Sequence, residues 1–392
     1  MNEHDDLPVL LLLLTISVVG PVIAVRFKLP TPILLMVAGI GLGPAGLGAL
    51  RLIPTVSFVS ELGFLLLMFM AGMEIDFDGV RTAGRSALLV PGLIVVGVFG
   101  SALAMGALAG LGPVEILAIS AMSVGMPLAV LKETRHDATP LGKHVMLAAS
   151  IGEFVTILAV TGLEVASSGG TTWTMVARVT KVGLLFLVSV SLIRYARALV
   201  WWHPEPFRRL IEHQDVAELG VRVGLVIMLA FVAVAALAGV EPILGAFIGG
   251  ALVGFVLRQK HALEAKIGAL GNGLFIPVFF IVVGMRFEVA SLDAAAIRTA
   301  LFLSLLLGLT RILPSLLFAR RSTPLRERAA AGALLSAPLT LVVAIGTIGR
   351  DLGLIRGGKQ ASLVLVAMLV SIVFPILFRA LAGTAPPGQP AA

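Results

Sequence analysis

Two ionisable residues lie deep in segments that read as bilayer-spanning. Glu153 sits in ASIGEFVTILAV and Arg311 in LLLGLTRILPSLLF. Glu153 is about ten residues from Lys143, roughly 15 Å in at a helical rise; Arg311 is about nine residues from Arg320, roughly 13 Å from the same face. A carboxylate at that depth can hold a proton and a hard monovalent cation in turn. An arginine cannot give up its proton there, so it needs a carboxylate or other oxygens to face. Two readings of Glu153 stand side by side. In one it is the ion- and proton-binding group. In the other it is half of a buried salt bridge with Arg311 that locks two helices. Arg311 is the charge-compensating residue in both, facing either Glu153 or the carbonyls that end a half-helix.

The elements that must position these groups are two interrupted apolar segments, LAISAMSVGMPLAVLKE (117–133) and AGALLSAPLTLVVAIG (331–346). Each carries a small, polar, helix-breaking patch at mid-depth. The first runs from Ser123 through Gly125 to Pro127, the second from Ser336 to Pro338. Proline removes a backbone donor and frees a carbonyl, and in lipid both sides of such a break need new partners. A matched pair of broken helices is the usual sequence pointer to a transporter's binding site. Ser123 and Thr340 flank the breaks and can lend hydroxyl oxygens to Na⁺ or K⁺, or only satisfy freed backbone groups.

Composition bounds the class. Of 392 residues 58% are hydrophobic and 13% charged, with a mean hydropathy of +1.05, which is the composition of a polytopic helical membrane protein. Cysteine is absent, which excludes disulfides, thiol catalysis and Cys-ligated metals. The net charge of +7 is carried in short loops and does not point to nucleic acid. No HExxH, GxSxG, P-loop or Rossmann fingerprint occurs, so neither an enzyme nor an ATP-driven pump is expected, and no cofactor.

Hydropathy predicts thirteen spans, near 8–26, 31–49, 55–73, 86–110, 114–131, 144–166, 172–199, 220–239, 242–257, 271–289, 294–318, 328–348 and 361–382. The link from Trp201 to Glu218 divides the chain in two, and the Pro-rich tail 383–392 is expected to be disordered. With the N-terminus outside, 19 of the 29 Lys and Arg fall in inner loops and 6 in outer ones. That bias predicts an external N-terminus and a cytoplasmic C-terminus. PILLMVAGIGL (32–42) is echoed by PILGAFIGGAL (242–252), LMFMAGM (67–73) loosely by FFIVVGM (279–285), and Pro127 by Pro338. The second copy begins an odd number of spans after the first, so the repeat is inverted, over about 31–166 and 242–382.

The stretches LPTPILLMVAGIGLGPAGLGAL (29–50), ELGFLLLMFMAGMEIDF (61–77), GAFIGGALVG (245–254) and LFIPVFFIVVGMRFEV (274–289) resemble the cation:proton antiporter-2 family. That family includes Kef-type potassium efflux systems and bacterial sodium/proton antiporters, and the resemblance runs from about residue 8 to 382. It implies a homodimer in which a mobile core, spans 4–6 and 11–13 here, works against a dimerisation domain. It places the ion-binding acid at Gly152-Glu153, where the family often has paired Asp or Gln-Asp. It makes Arg311 the basic residue before the second broken helix and Ser123 the small polar position of the first break. Two departures stand out: the paired acid is reduced to one Glu, and the charged Arg-Gly-Glu-like stretch of many relatives is replaced by Ala337-Pro338-Leu339-Thr340.

The fold expected is therefore an all-α polytopic membrane protein with an inverted repeat and two broken, crossing helices. The function expected is a monovalent cation (Na⁺ or K⁺)/proton antiporter of the bacterial inner membrane, exchanging one ion per proton on Glu153. One alternative keeps the fold but carries a small organic or anionic solute, with Glu153 and Arg311 as a structural pair. Another is a non-transporting membrane subunit. A separate regulatory subunit is a possible partner, and nucleic acid is not.

Overall fold

The computed structural model describes residues 6–27, 29–75, 84–137, 139–167, 180, 191, 195, 219–237, 241–256, 260–287, 289–318 and 324–382. The expected link at 201–218, the tail 383–392 and nearly all of the expected span at 172–199 lie outside them. Among the described residues all regular structure is helical. In chain order the helices are α1 (Asp6–Phe27), α2 (Thr31–Leu42), α3 (Pro54–Glu74), α4 (Gly84–Leu108), α5 (Pro113–Ser120), α6 (Gly125–Glu133), α7 (Pro140–Ser167), α8 (Leu219–Leu237), α9 (Pro242–Val256), α10 (Lys260–Leu270), α11 (Ile276–Met285), α12 (Ala294–Phe318), α13 (Leu325–Leu335), α14 (Leu339–Asp351) and α15 (Gly357–Ala382). Ten helical segments among the described residues are long and apolar enough to cross a membrane, and two shorter apolar helices accompany them. The chain is a multi-pass membrane protein.

The helix ends follow from local chemistry. Proline stands in the first turn of α2, α3 and α5, where its missing N–H would have no intrahelical acceptor. Gly110 and Gly353, both at positive φ, terminate α4 and α14 in the same way. Leu111 N–H reaches back to Gly106 O after the first, and Leu354 N–H to Gly349 O after the second. The span expected at 271–289 begins earlier than its apolar run. Helix α10 starts at Lys260 and passes through a π-helical turn, Gly271–Phe275, into α11. There Ile276 N–H bonds to Gly271 O, a wide turn that admits Pro277 without an orphaned acceptor on the usual ladder. Polar residues in KHALEAKIGAL hid this stretch from a hydropathy reading.

The chain divides into two compact units, each built from both halves of the sequence. Unit 1 is Met1–Phe77 with Glu164–Arg286; unit 2 is Asp78–Leu163 with Phe287–Ala392. Unit 2 takes in the stretches that the resemblance assigns to a core.

Unit 1 is packed through glycine. A Cβ at Gly39 would strike the carbonyl of Ile281, and one at Gly284 that of Met36, so α2 and α11 meet backbone to backbone. A Cβ at Gly72 would strike the carbonyl of Phe247, and one at Gly250 that of Phe69, so α3 and α9 do the same. In lipid, where apolar burial gives no drive for helices to associate, such close approach is what dispersion requires. The two contacts interchange at offsets of 211 and 212 residues, the first one residue longer than the 210 that aligns PILLMVAGIGL with PILGAFIGGAL. Gly72 maps to Gly284 as Met36 maps to Phe247, and Gly39 to Gly250 as Phe69 to Ile281. A twofold relation between two copies produces this reciprocity.

Unit 2 holds α4–α7 and α12–α15. Its apolar core includes Val98 on α4, Met122 and Val124 between α5 and α6, Ala148 on α7, Leu334 on α13 and Phe378 on α15. Two of its helical paths are interrupted, and those interruptions carry the candidate site.

Candidate ion-binding site

Every residue singled out in sequence falls in unit 2. The first broken helix ends α5 at Ser120 and restarts α6 at Gly125, with 121–124 non-helical. The break is therefore earlier than the sequence suggested. Gly125 opens α6, and Pro127 lies in its first turn, where a missing N–H costs nothing. The backbone donors freed by the break are taken up by α7. Met122 N–H donates to Thr156 Oγ1 at 3.0 Å, and Val124 N–H donates to Glu153 Oε2 at 3.1 Å. Ser123 Oγ donates to Glu153 Oε1 at 3.3 Å. Glu153 is 1% exposed, yet both its oxygens face the break.

The second break spans 336–338, between Leu335 and Leu339, as expected. Ser336 is buried and turned into its own helix, with Oγ donating to Gly332 O at 2.7 Å. Pro338 caps α14. One residue into α14, half-buried Thr340 puts Oγ1 3.4 Å from Ser123 Oγ. A hydroxyl has one proton, so with that of Ser123 on Glu153 the Thr340 hydroxyl is the donor to Ser123. The structure thus brings Glu153, Ser123 and Thr340 into one run of oxygen atoms drawn from α7 and the two breaks.

Arg311, on α12, is fully buried. Its Nη1 donates to Ile119 O at 2.6 Å, Leu307 O at 2.8 Å and Thr310 Oγ1 at 2.9 Å, and its Nη2 donates to Ala121 O. Thr310 Oγ1 also donates to Ile119 O at 3.1 Å. Of the two partners weighed for Arg311, the geometry selects the carbonyls that end a half-helix. Glu153 and Arg311 grip opposite sides of one break: the anion faces the positive N-terminal end of α6, the cation the negative C-terminal end of α5.

Thr156 and Thr310 were missed in sequence. Thr156 stands three residues beyond Glu153, on the same helical face, and Thr310 is adjacent to Arg311. Spacing of i to i+3 points to Thr156 beside Glu153, but no helical spacing singles out Thr310 next to Arg311. The oxygen set at the break, a carboxylate with two hydroxyls, suits a hard monovalent cation, and nothing in it favours a soft metal.

The model of the transmembrane sodium/hydrogen exchanger family matches residues 12–382. The chain belongs to that family. The chain is 29% identical to the putative Na⁺/H⁺ antiporter YjbQ of Bacillus subtilis over 96% of its own length and 63% of that protein's. The chain thus spans somewhat under two thirds of that longer relative. It is 27% identical to the probable Na⁺/H⁺ antiporter 3 of Methanocaldococcus jannaschii, covering 95% of each, and 28% identical to the Na⁺/H⁺-K⁺ antiporter GerN of Bacillus cereus, covering 94% of each. The structure of the sodium proton antiporter MjNhaP1 from Methanocaldococcus jannaschii superposes with a TM-score of 0.67 at 17% identity over 98% of both chains, so the exchanger fold is shared.

Proposed function

We propose that the chain exchanges Na⁺ or K⁺ for protons by alternating access, with Glu153 holding the proton and the cation in turn. The observation that carries this is the placement of one buried carboxylate against the open N-terminal end of α6, with Ser123 and Thr340 beside it. With a cation bound, both hydroxyls turn their lone pairs to it, and the carboxylate neutralises its charge. With a proton bound instead, Glu153 itself becomes a donor and the cation is released. One titrating carboxylate implies electroneutral exchange of one ion per proton. The relatives' names support the cation, and the Bacillus cereus relative's name keeps K⁺ beside Na⁺. The departure at Ala337–Thr340 leaves fewer charged oxygens than in many relatives, which suits a site with one carboxylate and one ion.

Arg311 holds the end of α5 open, so its charge serves the break and not the ion. That weighs against the organic-solute reading, which needed Glu153 and Arg311 as a mutual pair. Unit 2 is the moving core and unit 1 the scaffold and dimer-forming part. The repeats run over about 31–166 and 242–382, the N-terminus is outside and the C-terminus cytoplasmic.

The test is reconstitution in liposomes with a trapped pH dye, adding Na⁺ or K⁺ with the voltage clamped by an ionophore. Cation-evoked proton movement, lost in Glu153→Gln, is the expected result and names the ion. Folded wild-type protein that moves no protons with either ion between about pH 6 and 9 defeats the reading.

A further inference from the structure

Four short helices flank the two breaks, of 8, 9, 11 and 13 residues. Helices so short are not held straight or in place by their own hydrogen bonds. The width of each gap therefore depends on what fixes the far end of each half-helix. In unit 2 one continuous helix, α15, touches all four far ends.

At its first turn, Lys359 Nζ lies 2.5 Å from Glu115 Oε1, at the start of α5. The next residue, Gln360, accepts a hydrogen bond from Arg350 Nη1 at 2.8 Å, at the end of α14. At its last turn, Arg379 Nη2 lies 2.7 Å from Glu133 Oε2, the final residue of α6. The next residue, Ala380, accepts through its carbonyl a hydrogen bond from Arg326 Nη2 at 2.9 Å, at the start of α13. Phe378 beside them packs edge-on against His136, just beyond α6, with ring centroids 5.6 Å apart. Two adjacent residues at each end of one 26-residue helix thus hold one half-helix of each break.

We propose that α15 is a positioning strut for the ion site: its two terminal turns fix the far ends of all four half-helices and so set the width of both breaks. The Lys359 end dominates. The Glu115 carboxylate and Gln360 are buried there, although the Lys359 side chain is 58% exposed, whereas in the Arg379–Glu133 pair the carboxylate itself is 61% exposed, and such a pair contributes little. From Glu115 it is one turn along α5 to Ile119, whose carbonyl Arg311 holds. From Arg350 the helix α14 runs back to Thr340. Loss of Lys359 leaves the buried Glu115 carboxylate without its cation, and α5 shifts to hydrate it. The carbonyls of Ile119 and Ala121 and the oxygens at Ser123 move with α5. Lys359, Glu115 and Gln360 are positioning residues, remote from the ion.

The test has two arms, because the kinetic one rests on the antiporter reading. In proteoliposomes, Lys359→Ala is expected to raise the half-saturating cation concentration by about tenfold, with the maximal rate within about twofold of wild type. Lys359→Arg is expected to stay near wild type, and the swap Glu115→Lys with Lys359→Glu to recover most of the loss. The second arm needs no cation: hydrogen–deuterium exchange in detergent. Lys359→Ala is expected to speed exchange over 116–124 by about tenfold and leave unit 1 unchanged. Gln360→Leu, which removes no charge, does the same over 336–342 and serves if Lys359→Ala does not fold. Unchanged exchange at both segments overturns the strut, whether or not the wild type transports. Faster exchange with an unchanged half-saturating concentration also overturns it, reducing the ties to stabilising contacts. A wild type that moves no protons defeats the antiporter reading instead, and the exchange arm then decides the strut alone.

Discussion

The guanidinium of Arg311 lies 2.6 Å from the carbonyl oxygen of Ile119, and its other arm holds the carbonyl of Ala121. Two acceptors freed by the first break are thereby satisfied by a side chain from another helix. Arg311→Leu removes both of these donors; Ile119 O keeps Thr310 Oγ1, but the Ala121 carbonyl loses the side chain that held it, and a buried acceptor left unpaired costs about 1–3 kcal/mol. The purified variant is expected to melt several degrees below wild type and to lose exchange. Arg311→Lys, a single point donor without the fork, is expected to fall between. An Arg311→Leu protein that melts with wild type would show that the break is held open by something else.

Glu153 separates charge from shape. Glu153→Gln keeps the length but offers one oxygen and no charge, so exchange is expected to drop by about a hundredfold or more. Glu153→Asp keeps the charge but withdraws it by one methylene from Ser123 Oγ and Val124 N–H. Measured exchange should survive at about a tenth of the wild-type kcat/KM, the loss being mainly in KM. Equal loss in both variants would mean that the position of the carboxylate matters as much as its charge.

Thr156 is buried and accepts from Met122 N–H at 3.0 Å while donating to Gly152 O at 2.7 Å. Thr156→Val is nearly isosteric and removes only the hydroxyl, leaving the Met122 donor buried and alone at a cost of about 1–3 kcal/mol. A lower melting temperature together with a raised cation KM is expected. Thr156→Ser should restore both. A normal KM in Thr156→Val would place Thr156 outside the site's support.

Gly72 and Gly284 occupy equivalent places in the two copies of the repeat, each against a carbonyl of the other copy. Alanine at either has no flexible side chain to push aside, so each substitution is expected to destabilise by about 1–3 kcal/mol, and by similar amounts. Thermal melting of the two variants checks this. In whatever fraction stays folded, the cation half-saturation should match wild type, because both glycines lie in unit 1 and the oxygens of the site in unit 2. A large difference between the two would argue against equivalent packing.

The sequence alone determined the class and the plan. Its hydropathy required a membrane protein because unpaired apolar length has no other solvent. Its two Pro-containing polar patches located the breaks to within a few residues, and its buried charges stood out because ionisable groups are so costly there. The offset near 211 was legible as a repeat, and the resemblance pointed to the family that residues 12–382 match. What sequence left open for Arg311 only the fold decided. Spacing put Glu153 and Arg311 at similar depth, but depth along two helices says nothing of rotation about them. Tertiary packing turned Arg311 to the end of α5 and Glu153 to the start of α6. The same limit hid Thr156 and Thr310, whose hydroxyls matter only because a break lies opposite. It hid the strut as well, since Lys359 meets Glu115, and Arg379 meets Glu133, across more than 240 residues of chain. Contacts of that kind are set by how helices pack, and no local pattern encodes them.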